Sequence, residues 1–338
     1  MQMHDIISVG TATEDVFVGT REMKLISVRD MDDVTSYIAF EQGAKIPVSD
    51  VFMATGGGAT NSAVAFARLG LDNGIICKTG DDDAADRVIA KLQRENVDIS
   101  GVVRSPDYTT GYSVILMCFT GDRTVLVHRG ASTHLHEEDV DWDMLASAGW
   151  IYLSSMSGDS APLFEKIAVH ARDNDVKLAI NPGSAQLRAG LSELAVAFQA
   201  SDILFVNKSE AYCLAEVEPK RGRADEMEVL HTLHGAGADI VVMTDGSKGA
   251  EAYDGKAHYT VPAIDVAEKS TLGAGDAFAS ACTASLLRGM TLREALRAGT
   301  INAANIVRYL GAKRGLMTWE QLENALSTHP PQFPSHGG

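Results

Sequence analysis

The sequence predicts an α/β fold in which a mainly parallel central sheet is covered by helices and accompanied by a smaller β-sheet. Short, largely apolar runs of strand length recur along the chain, as in strands that are buried on both faces. Helix-length segments separate these runs, which favours a layered structure with a parallel sheet. In two segments, 15–52 and 109–129, apolar and polar residues alternate instead, which is typical of antiparallel ribbons.

Six apolar runs are predicted as strands of the central sheet, because each is followed by a turn or by a helical pattern. They are Ile6–Val9, Ile75–Lys78, Trp150–Leu153, Lys177–Ile180, Ile203–Val206 and Ile240–Met243. Three segments are predicted as helices: Asn61–Leu69, Asp83–Glu95 and Asp276–Arg288. Gly70 and Gly289 follow the first and the third of them, and glycine is common just after a helix C-terminus.

The two alternating segments are predicted to form a β lid over the active site, the alternative being an edge extension of the main sheet. Gly111–Phe119 and Thr124–Arg129 flank Thr120-Gly121-Asp122-Arg123, a sequence typical of a hairpin. A lid that closes would exclude water from the site. Because such a sheet is short and has exposed edges, it could also pair with a second subunit to form a homodimer.

Composition excludes several classes of protein. Of the 338 residues, 45% are hydrophobic and 22% charged, close to the globular average, so the chain is neither disordered nor fibrous. Its net charge of −16 repels phosphates and anionic membranes, and neither nucleic acid nor a membrane is expected as a partner. The four cysteines are far apart and form no CxxC pair, so we expect buried thiols and a cytoplasmic location.

The segment with the clearest chemistry is Gly273-Ala274-Gly275-Asp276, which precedes a helix of small residues. The glycines allow successive N–H groups to face one point, where the helix dipole also favours an anion. A valine at Gly275 is expected to obstruct these amides and to force a poor backbone angle. Asp276 is either a charge that stabilises the helix start or a general base that accepts a proton from an attacking hydroxyl group. The spacing alone leaves both open.

Several motifs together resemble the PfkB (ribokinase-like) family of carbohydrate kinases. Gly273–Asp276 is similar to its GAGD signature, and Gly56-Gly57-Gly58-Ala59-Thr60-Asn61 is similar to its GGxxxN signature. Smaller matches follow in the family's order: Asp15, the NxxE motif Asn207-Lys208-Ser209-Glu210, and the TxGxxG motif Thr244-Asp245-Gly246-Ser247-Lys248-Gly249. The resemblance runs from about Asp5 to Leu326. It implies a ribokinase-like three-layer α/β/α fold and an ATP-dependent kinase for a small sugar or sugar-like substrate.

The resemblance also implies a role for each motif. Asp276 would be the catalytic base, with the amides of Gly273, Ala274 and Gly275 as the anion hole. Substrate hydroxyl groups would be bound by Asp15, Gly57, Gly58 and Asn61. The nucleotide would be bound by Asn207, Thr244, Gly246 and Gly249, and Glu210 would hold Mg²⁺ through water and phosphates. The residues by themselves also allow a helix cap with a solvated glutamate at Asn207 and Glu210, and an N-cap at Asn61.

These implied roles divide the chain into a core, a lid and a tail. Segments 1–14, 53–108 and 130–327 are expected to form the α/β core that binds nucleotide and substrate, and 15–52 and 109–129 the lid. Segment 328–338 contains three prolines and two glycines and is expected to be a flexible tail.

Two residues depart from the family's pattern. Most members have Asp six residues before the base, where it helps to hold a monovalent cation. Here that residue is Ser270, so we expect weak activation by potassium, with backbone carbonyls as the remaining ligands. Ribokinases usually carry Lys within the glycine motif, where this chain has Gly58, which argues against the substrate site of ribokinase itself. Basic groups for an anionic substrate could come from the lid: Lys45, Arg123 and Arg129 are candidates, each of which could equally be a solvated charge.

Other functions remain open or are excluded. A nucleoside kinase of the same family is the first alternative, and a non-catalytic sugar sensor is less favoured because a sensor needs no base. The sequence contains neither the dinucleotide fingerprint GxGxxG nor the P-loop pattern GxxxxGK[ST]. His134 and His136 are predicted to be surface residues rather than metal ligands.

Overall fold

The computed structural model describes residues 4–30, 33–118, 123–217 and 223–328. Fifteen strands lie in these segments. They are β1 (Ile6–Val9), β2 (Thr13–Gly19), β3 (Lys24–Asp30), β4 (Asp33–Ala39), β5 (Asp50–Gly56), β6 (Asn73–Gly80), β7 (Asp98–Ser105), β8 (Gly111–Met117), β9 (Arg123–His128), β10 (Trp150–Leu153), β11 (Lys177–Ile180), β12 (Ile203–Asn207), β13 (Ile240–Thr244), β14 (Ala250–Tyr253) and β15 (His258–Val261).

Eleven α-helices lie in the same described segments. They are α1 (Gly58–Arg68), α2 (Asp83–Arg94), α3 (Trp142–Ala146), α4 (Leu163–Asp173), α5 (Ser184–Ala189), α6 (Leu191–Gln199), α7 (Lys208–Ala215), α8 (Arg223–Gly235), α9 (Ala274–Leu287), α10 (Leu292–Ile306) and α11 (Trp319–Thr328). The six strands and three helices expected from the apolar patterns are confirmed to within three residues at each end.

The strands form a large sheet of nine members in the order β15-β14-β13-β12-β11-β10-β1-β6-β7. Its strands from β13 to β7 pair in parallel, and β14 and β15 add an antiparallel edge. β6 is buried along its whole length, as expected for a strand whose middle is the apolar run Ile75–Cys77.

Helices cover both faces of this sheet and form separate hydrophobic cores. One core joins α4, α6 and α8 to the sheet through Phe164, Phe198 and Leu230. The other joins α1, α9 and α10 through Phe66, Phe278 and Leu296. The architecture is therefore three layers with the sheet in the middle, which confirms the predicted fold class.

A separate four-stranded sheet in the order β5-β2-β8-β9 lies beside the core, and β3 pairs only with β4. Among the described residues it shares no strand with the nine-stranded sheet, which does not match the alternative of an edge extension. β8 and β9 are antiparallel, as expected for a hairpin, but most of its predicted turn, residues 119–122, and nearly all of the tail, 329–338, lie outside the described residues. That this sheet acts as a lid, and that it forms a homodimer, remain predictions.

Candidate active site

Two helix starts meet beneath the small sheet. α1 begins in the glycine motif and packs against α9, which begins at the Gly273–Asp276 segment. The loop before α9 is held by the carbonyl oxygen of Val307, which accepts hydrogen bonds from the backbone N–H groups of Lys269 at 2.7 Å and Ser270 at 3.1 Å. The N-terminal ends of both helices are thereby fixed in the same region of the molecule.

Gly273 has a left-handed backbone, with φ of 80°, and forms the N-cap of α9. A Cβ atom there would lie 2.5 Å from Cβ of Ala312, so only glycine fits without strain. Gly275 is different, because it lies inside the helix and no atom approaches within 4 Å of a Cβ built on it. The expectation of a poor backbone angle at Gly275 is therefore wrong, since of these two glycines only Gly273 has a positive φ.

Asp276 is linked to a lysine by way of Asn61. The Nδ2 atom of Asn61 donates a hydrogen bond to Oδ2 of Asp276 at 2.7 Å, and Nζ of Lys313 donates one to Oδ1 of Asn61 at 2.6 Å. An ammonium group can only donate, so the amide oxygen of Asn61 must face Lys313. The amide nitrogen is then directed at Asp276. Lys313 thus determines the orientation of Asn61.

Lys313 is also bound on its other sides. Its Nζ donates to the carbonyl oxygen of Thr55 at 2.6 Å and to Oγ1 of Thr60 at 2.9 Å. The residue is 5% exposed, and burial lowers the pKa of its amine to about 7, although the charges of Asp15 and Asp276 act to raise it. A buried amine with three oxygen partners is a fixed part of the site and not a solvated charge.

Both carboxylates of the site are affected by burial. Burial raises the pKa of Asp276, while the hydrogen bond from Asn61 and the charge of Lys313 act to lower it. Burial also raises the pKa of Asp15, which is 6% exposed, and the charge of Lys313 and a hydrogen bond from Ser113 oppose this rise. One amine therefore lies within electrostatic reach of both acids.

The glycine motif brings the start of α1 close to the chain after β1. Gly57 has φ of 94°, and a Cβ atom on it would lie 2.4 Å from the carbonyl oxygen of Thr11. The backbone N–H of Gly58 donates to Oγ1 of Thr11 at 3.0 Å. Gly57 is the N-cap of α1, so the N-cap alternative for Asn61 is wrong, and its side chain instead bonds to Asp276 and Lys313.

A cavity of about 300 Å³ opens beside the start of α9. Its walls include all three residues of the TxGxxG motif that were expected to bind nucleotide: Thr244, Gly246 and Gly249. Ala274 and Gly275 line the same cavity. The structure therefore brings the two distant motifs together around one space.

The NxxE motif forms the start of α7 and does not line that cavity. Asn207 caps the helix by accepting a hydrogen bond from the backbone N–H of Glu210 at 2.9 Å, and the Glu210 carboxylate accepts one from the N–H of Asn207 at 2.8 Å. The helix-cap interpretation is correct, but Glu210 is half-buried. Its pKa is raised by burial, and the charge of Asp276 adds to this rise, so Glu210 lies within electrostatic reach of Asp276.

Of the three basic residues expected in the lid, one reaches the loop before α9. Nη1 of Arg123 donates a hydrogen bond to Oγ1 of Thr271 at 2.6 Å. Lys45 and Arg129 are exposed and make no side-chain hydrogen bond or ion pair with the part of the chain that the structure describes. Arg123 is therefore the candidate that the geometry supports.

His134 and His136, predicted to be surface residues, are half-buried. His134 stacks on Tyr108 with ring centroids 3.7 Å apart, and its Nδ1 lies 2.9 Å from Oδ2 of Asp159. Ligand-type atoms of the two histidines and Asp159 all lie within 4.8 Å of one another.

The sequence reasoning missed Lys313. It follows Gly311-Ala312 in a loop near the end of the chain, and a lysine in such a loop usually points into water. The one available signal was the absence of lysine from the glycine motif at Gly58, which suggested that a basic group had to come from elsewhere.

A protein-family comparison decides the family. The model of the pfkB family of carbohydrate kinases matches residues 25–319, most of the chain. The chain belongs to the PfkB family of carbohydrate kinases. As a member it is a phosphotransferase with an alcohol group as acceptor, within the sugar and nucleoside kinases of this family.

Relatives of this PfkB kinase include proteins of different specificity. It is 32% identical over 243 residues to the ATP-dependent ribose-1-phosphate kinase of Halopiger xanaduensis, covering 71% of this chain and 76% of that protein. It is 29% identical over 289 residues to the aminoimidazole riboside kinase of Salmonella typhimurium, covering 81% and 88% of the two chains.

A solved structure confirms the fold of this PfkB kinase. Arabidopsis thaliana ribokinase, determined with ribose and ATP, superposes with a TM-score of 0.80 at 19% identity, covering 98% of this chain and 100% of that one. Among the described residues, no helix has the length and apolar character needed to span a membrane.

Proposed function

We propose that this kinase transfers the γ-phosphoryl group of ATP to a hydroxyl group of a small sugar-like substrate, with Asp276 as the general base. The observation that carries the proposal is the position of Asp276. Its carboxylate is oriented by Asn61 and stands at the start of α9, beside the cavity lined by Ala274 and Gly275. A proton acceptor and an anion-binding helix start are then adjacent, which phosphoryl transfer requires.

The roles of the groups follow from their chemistry. Asp276 accepts the proton of the substrate hydroxyl as its oxygen bonds to the γ-phosphorus, while the bond from that phosphorus to the bridging oxygen breaks and ADP leaves. Burial raises the pKa of Asp276, which makes the carboxylate a stronger base. The hydrogen bond from Asn61 and the charge of Lys313 oppose this rise and so favour the ionised form that can accept a proton. The amides of Gly273–Gly275 face the anion.

Substrate and nucleotide enter from different sides of Asp276. We assign the hydroxyl groups of the sugar to Asp15, Gly57, Gly58 and Asn61, because carboxylate and amide groups suit vicinal diols and glycine permits close approach. We assign ATP to the cavity beside Thr244, Gly246 and Gly249, with Asn207 at its phosphates. With these assignments the γ-phosphoryl group of ATP would lie next to the substrate hydroxyl group, beside Asp276.

The donor set near Asn207 fits Mg²⁺. Glu210 offers a carboxylate and Asn207 an amide carbonyl, both hard oxygen ligands, and neither forms a closed protein cage. Such a site leaves most of the coordination to water and phosphates, as Mg²⁺ prefers. When bound, the ion would neutralise charge on the transferring phosphoryl group.

A second candidate within this class is a phosphorylated sugar as acceptor. Arg123 crosses from the small sheet to Thr271, which brings a cation to the substrate side of the catalytic loop in an otherwise acidic chain. A ribose-1-phosphate kinase is among the relatives, which is consistent with an anionic substrate. A nucleoside is the alternative that the riboside kinase relative suggests.

A panel assay distinguishes these substrates. ADP release is measured with pentoses, hexoses, sugar acids, polyols, nucleosides and sugar phosphates, each with ATP and Mg²⁺. We expect turnover with one class at a rate well above the ATPase rate without acceptor. If no compound of the panel increases ADP release and calorimetry shows that a sugar binds, the protein is a sugar sensor and the proposed kinase activity is wrong.

A further inference from the structure

A second cavity, of about 380 Å³, lies among β5, the ends of α1 and α2, and the loop 310–314. Although the chain has a net charge of −16, six basic residues line this cavity. They are Arg68, Arg87, Lys91, Arg94, Lys313 and Arg314. We refer to it as the basic cavity.

The basic side chains of α2 lie on one face of the helix. Arg87, Lys91 and Arg94 are spaced by four and three residues, which aligns them along the same side. Arg87 pairs with Glu14, and Lys91 pairs with Glu95 at 2.5 Å. The first pair joins α2 to β2 of the small sheet, and the second lies along α2 itself.

The remaining cations exceed the available carboxylates. Glu95 also accepts from Arg68 at 2.7 Å, so Glu14 and Glu95 together balance only part of the six charges. Arg94 donates to a backbone carbonyl, and Arg314 stacks near the ring of Tyr309; neither has a carboxylate partner among the described residues. Two guanidinium groups are therefore available to an anion.

The other lining residues limit what that anion can be. Phe52, Met53, Ala54 and Leu310 supply apolar surface in the same cavity. A volume of about 380 Å³ lies within the range of small-molecule sites, about 300–1,000 Å³, and exceeds what one phosphate ion needs. A guanidinium group often binds a phosphate group through two parallel N–H···O hydrogen bonds. A phosphate ester with a short carbon skeleton matches both kinds of surface.

The basic cavity is separate from the proposed reaction site. Glu14 and Asp15 are consecutive residues of β2, so their side chains point to opposite faces of the sheet. Glu14 lines the basic cavity, whereas Asp15 is within electrostatic reach of Lys313 on the opposite side. Of the described residues that line the cavity, Lys313 alone belongs to both regions, because its Nζ bonds to Asn61.

We propose that the basic cavity binds a small phosphorylated metabolite as an effector, and that its occupancy is transmitted to the proposed reaction site through Lys313 and Asn61. The ligand's phosphate would bind Arg94 and Arg314, and its carbon skeleton would lie against Phe52 and Leu310. The coupling rests on the function proposed above, whereas the binding site does not.

Calorimetry with glycerol 3-phosphate in the absence of Mg²⁺ tests the site directly. We expect binding to the wild-type protein that weakens at least about tenfold in the double variant Arg94→Gln/Arg314→Gln, since the phosphate then loses both of its charged hydrogen-bond partners. The matched control Arg188→Gln/Lys256→Gln removes two exposed charges elsewhere and should bind as the wild type does. Binding should persist with saturating ADP. No binding at millimolar concentrations, or binding that ADP abolishes and the double variant retains, overturns the site.

Kinetics test the coupling. In the presence of glycerol 3-phosphate, the KM for the acceptor identified in the panel should change for the wild type and the control, and not for the double variant. Binding in calorimetry without any change in kcat or KM would overturn the transmission through Lys313. If the panel identifies no acceptor, the calorimetric result still decides whether the site exists.

Discussion

Replacing Lys313 with methionine should reduce turnover strongly while changing stability little at neutral pH. The Nζ atom of Lys313 holds the amide oxygen of Asn61, and the opposite end of that amide orients Asp276. Methionine is of similar length and cannot donate a hydrogen bond, so the amide oxygen of Asn61 loses the donor that fixes its orientation. A catalytic group displaced by about 1 Å costs on the order of 10²-fold, and we expect kcat to fall by about 10–10².

Two opposing contributions determine the stability of this variant. The carbonyl oxygen of Thr55, Oγ1 of Thr60 and Oδ1 of Asn61 lose a donor, at a cost of about 1–3 kcal/mol for each buried group. A pKa lowered from 10.5 to about 7 means that charging the amine costs about 5 kcal/mol more inside the protein than in water, and the variant is relieved of that cost. At pH 7 the two contributions nearly cancel.

The balance should shift with pH. The unfolded chain keeps the Lys313 proton up to a pH near 10.5, whereas the folded protein loses it near 7. Between these values the unfolded state binds more protons, so the wild type gains stability as pH rises. Relative to Lys313→Met, its free energy of unfolding should increase by about 2–3 kcal/mol between pH 7 and about pH 9.

The assay is urea unfolding at both pH values together with steady-state kinetics. Lys78→Met is the control, because Lys78 is another little-exposed lysine. Its Nζ pairs with Asp139 at 2.6 Å, and neither residue contacts Asp276 through a hydrogen bond among the described residues. It should lose stability and keep its kcat. Equal losses of kcat in the two variants, or a wild-type kcat in Lys313→Met, would refute the positioning role of Lys313.

Three further results are expected. Gly275→Val should lower kcat by about 10²–10³ with little loss of melting temperature, because its side chain enters the proposed nucleotide cavity without straining the backbone. Gly273→Val should instead lower the melting temperature, because its side chain collides with Ala312. The reverse pattern would contradict the geometry. Arg123→Ala should raise the KM for a phosphorylated sugar far more than that for ATP, whereas equal changes would mean a solvated charge. Because Ser270 stands in place of a carboxylate, replacing a large inert cation by K⁺ should increase the steady-state rate less than about tenfold. A greater increase would contradict the expectation of weak potassium activation.

The sequence predicts well what depends on neighbouring residues. The run Ile6–Val9 and the helix at Asp83–Glu95 are recognisable because burial on both faces and helical periodicity leave local patterns. The signature at Gly273–Asp276 is local as well, since it consists of one turn and the first turn of a helix.

The contacts between distant segments could not be predicted in the same way. Lys313 and Asn61 are separated by 252 positions, and nothing in the loop 310–314 distinguishes a buried amine from a solvated one. The strain assigned to Gly275 was wrong because two glycines in one loop share a motif but not a backbone conformation. The basic cavity could not be predicted either, because its lining combines residues of α2 with residues of β2, β5, α1 and the loop 310–314.

The most direct test of the central claim is the turnover of Asp276→Asn on the acceptor that the panel identifies. Asparagine keeps the size of the side chain and cannot accept the proton of the substrate hydroxyl. We predict that kcat falls by about 10²–10⁴ while the KM values for ATP and acceptor change little. Turnover close to that of the wild type would show that Asp276 is not the base.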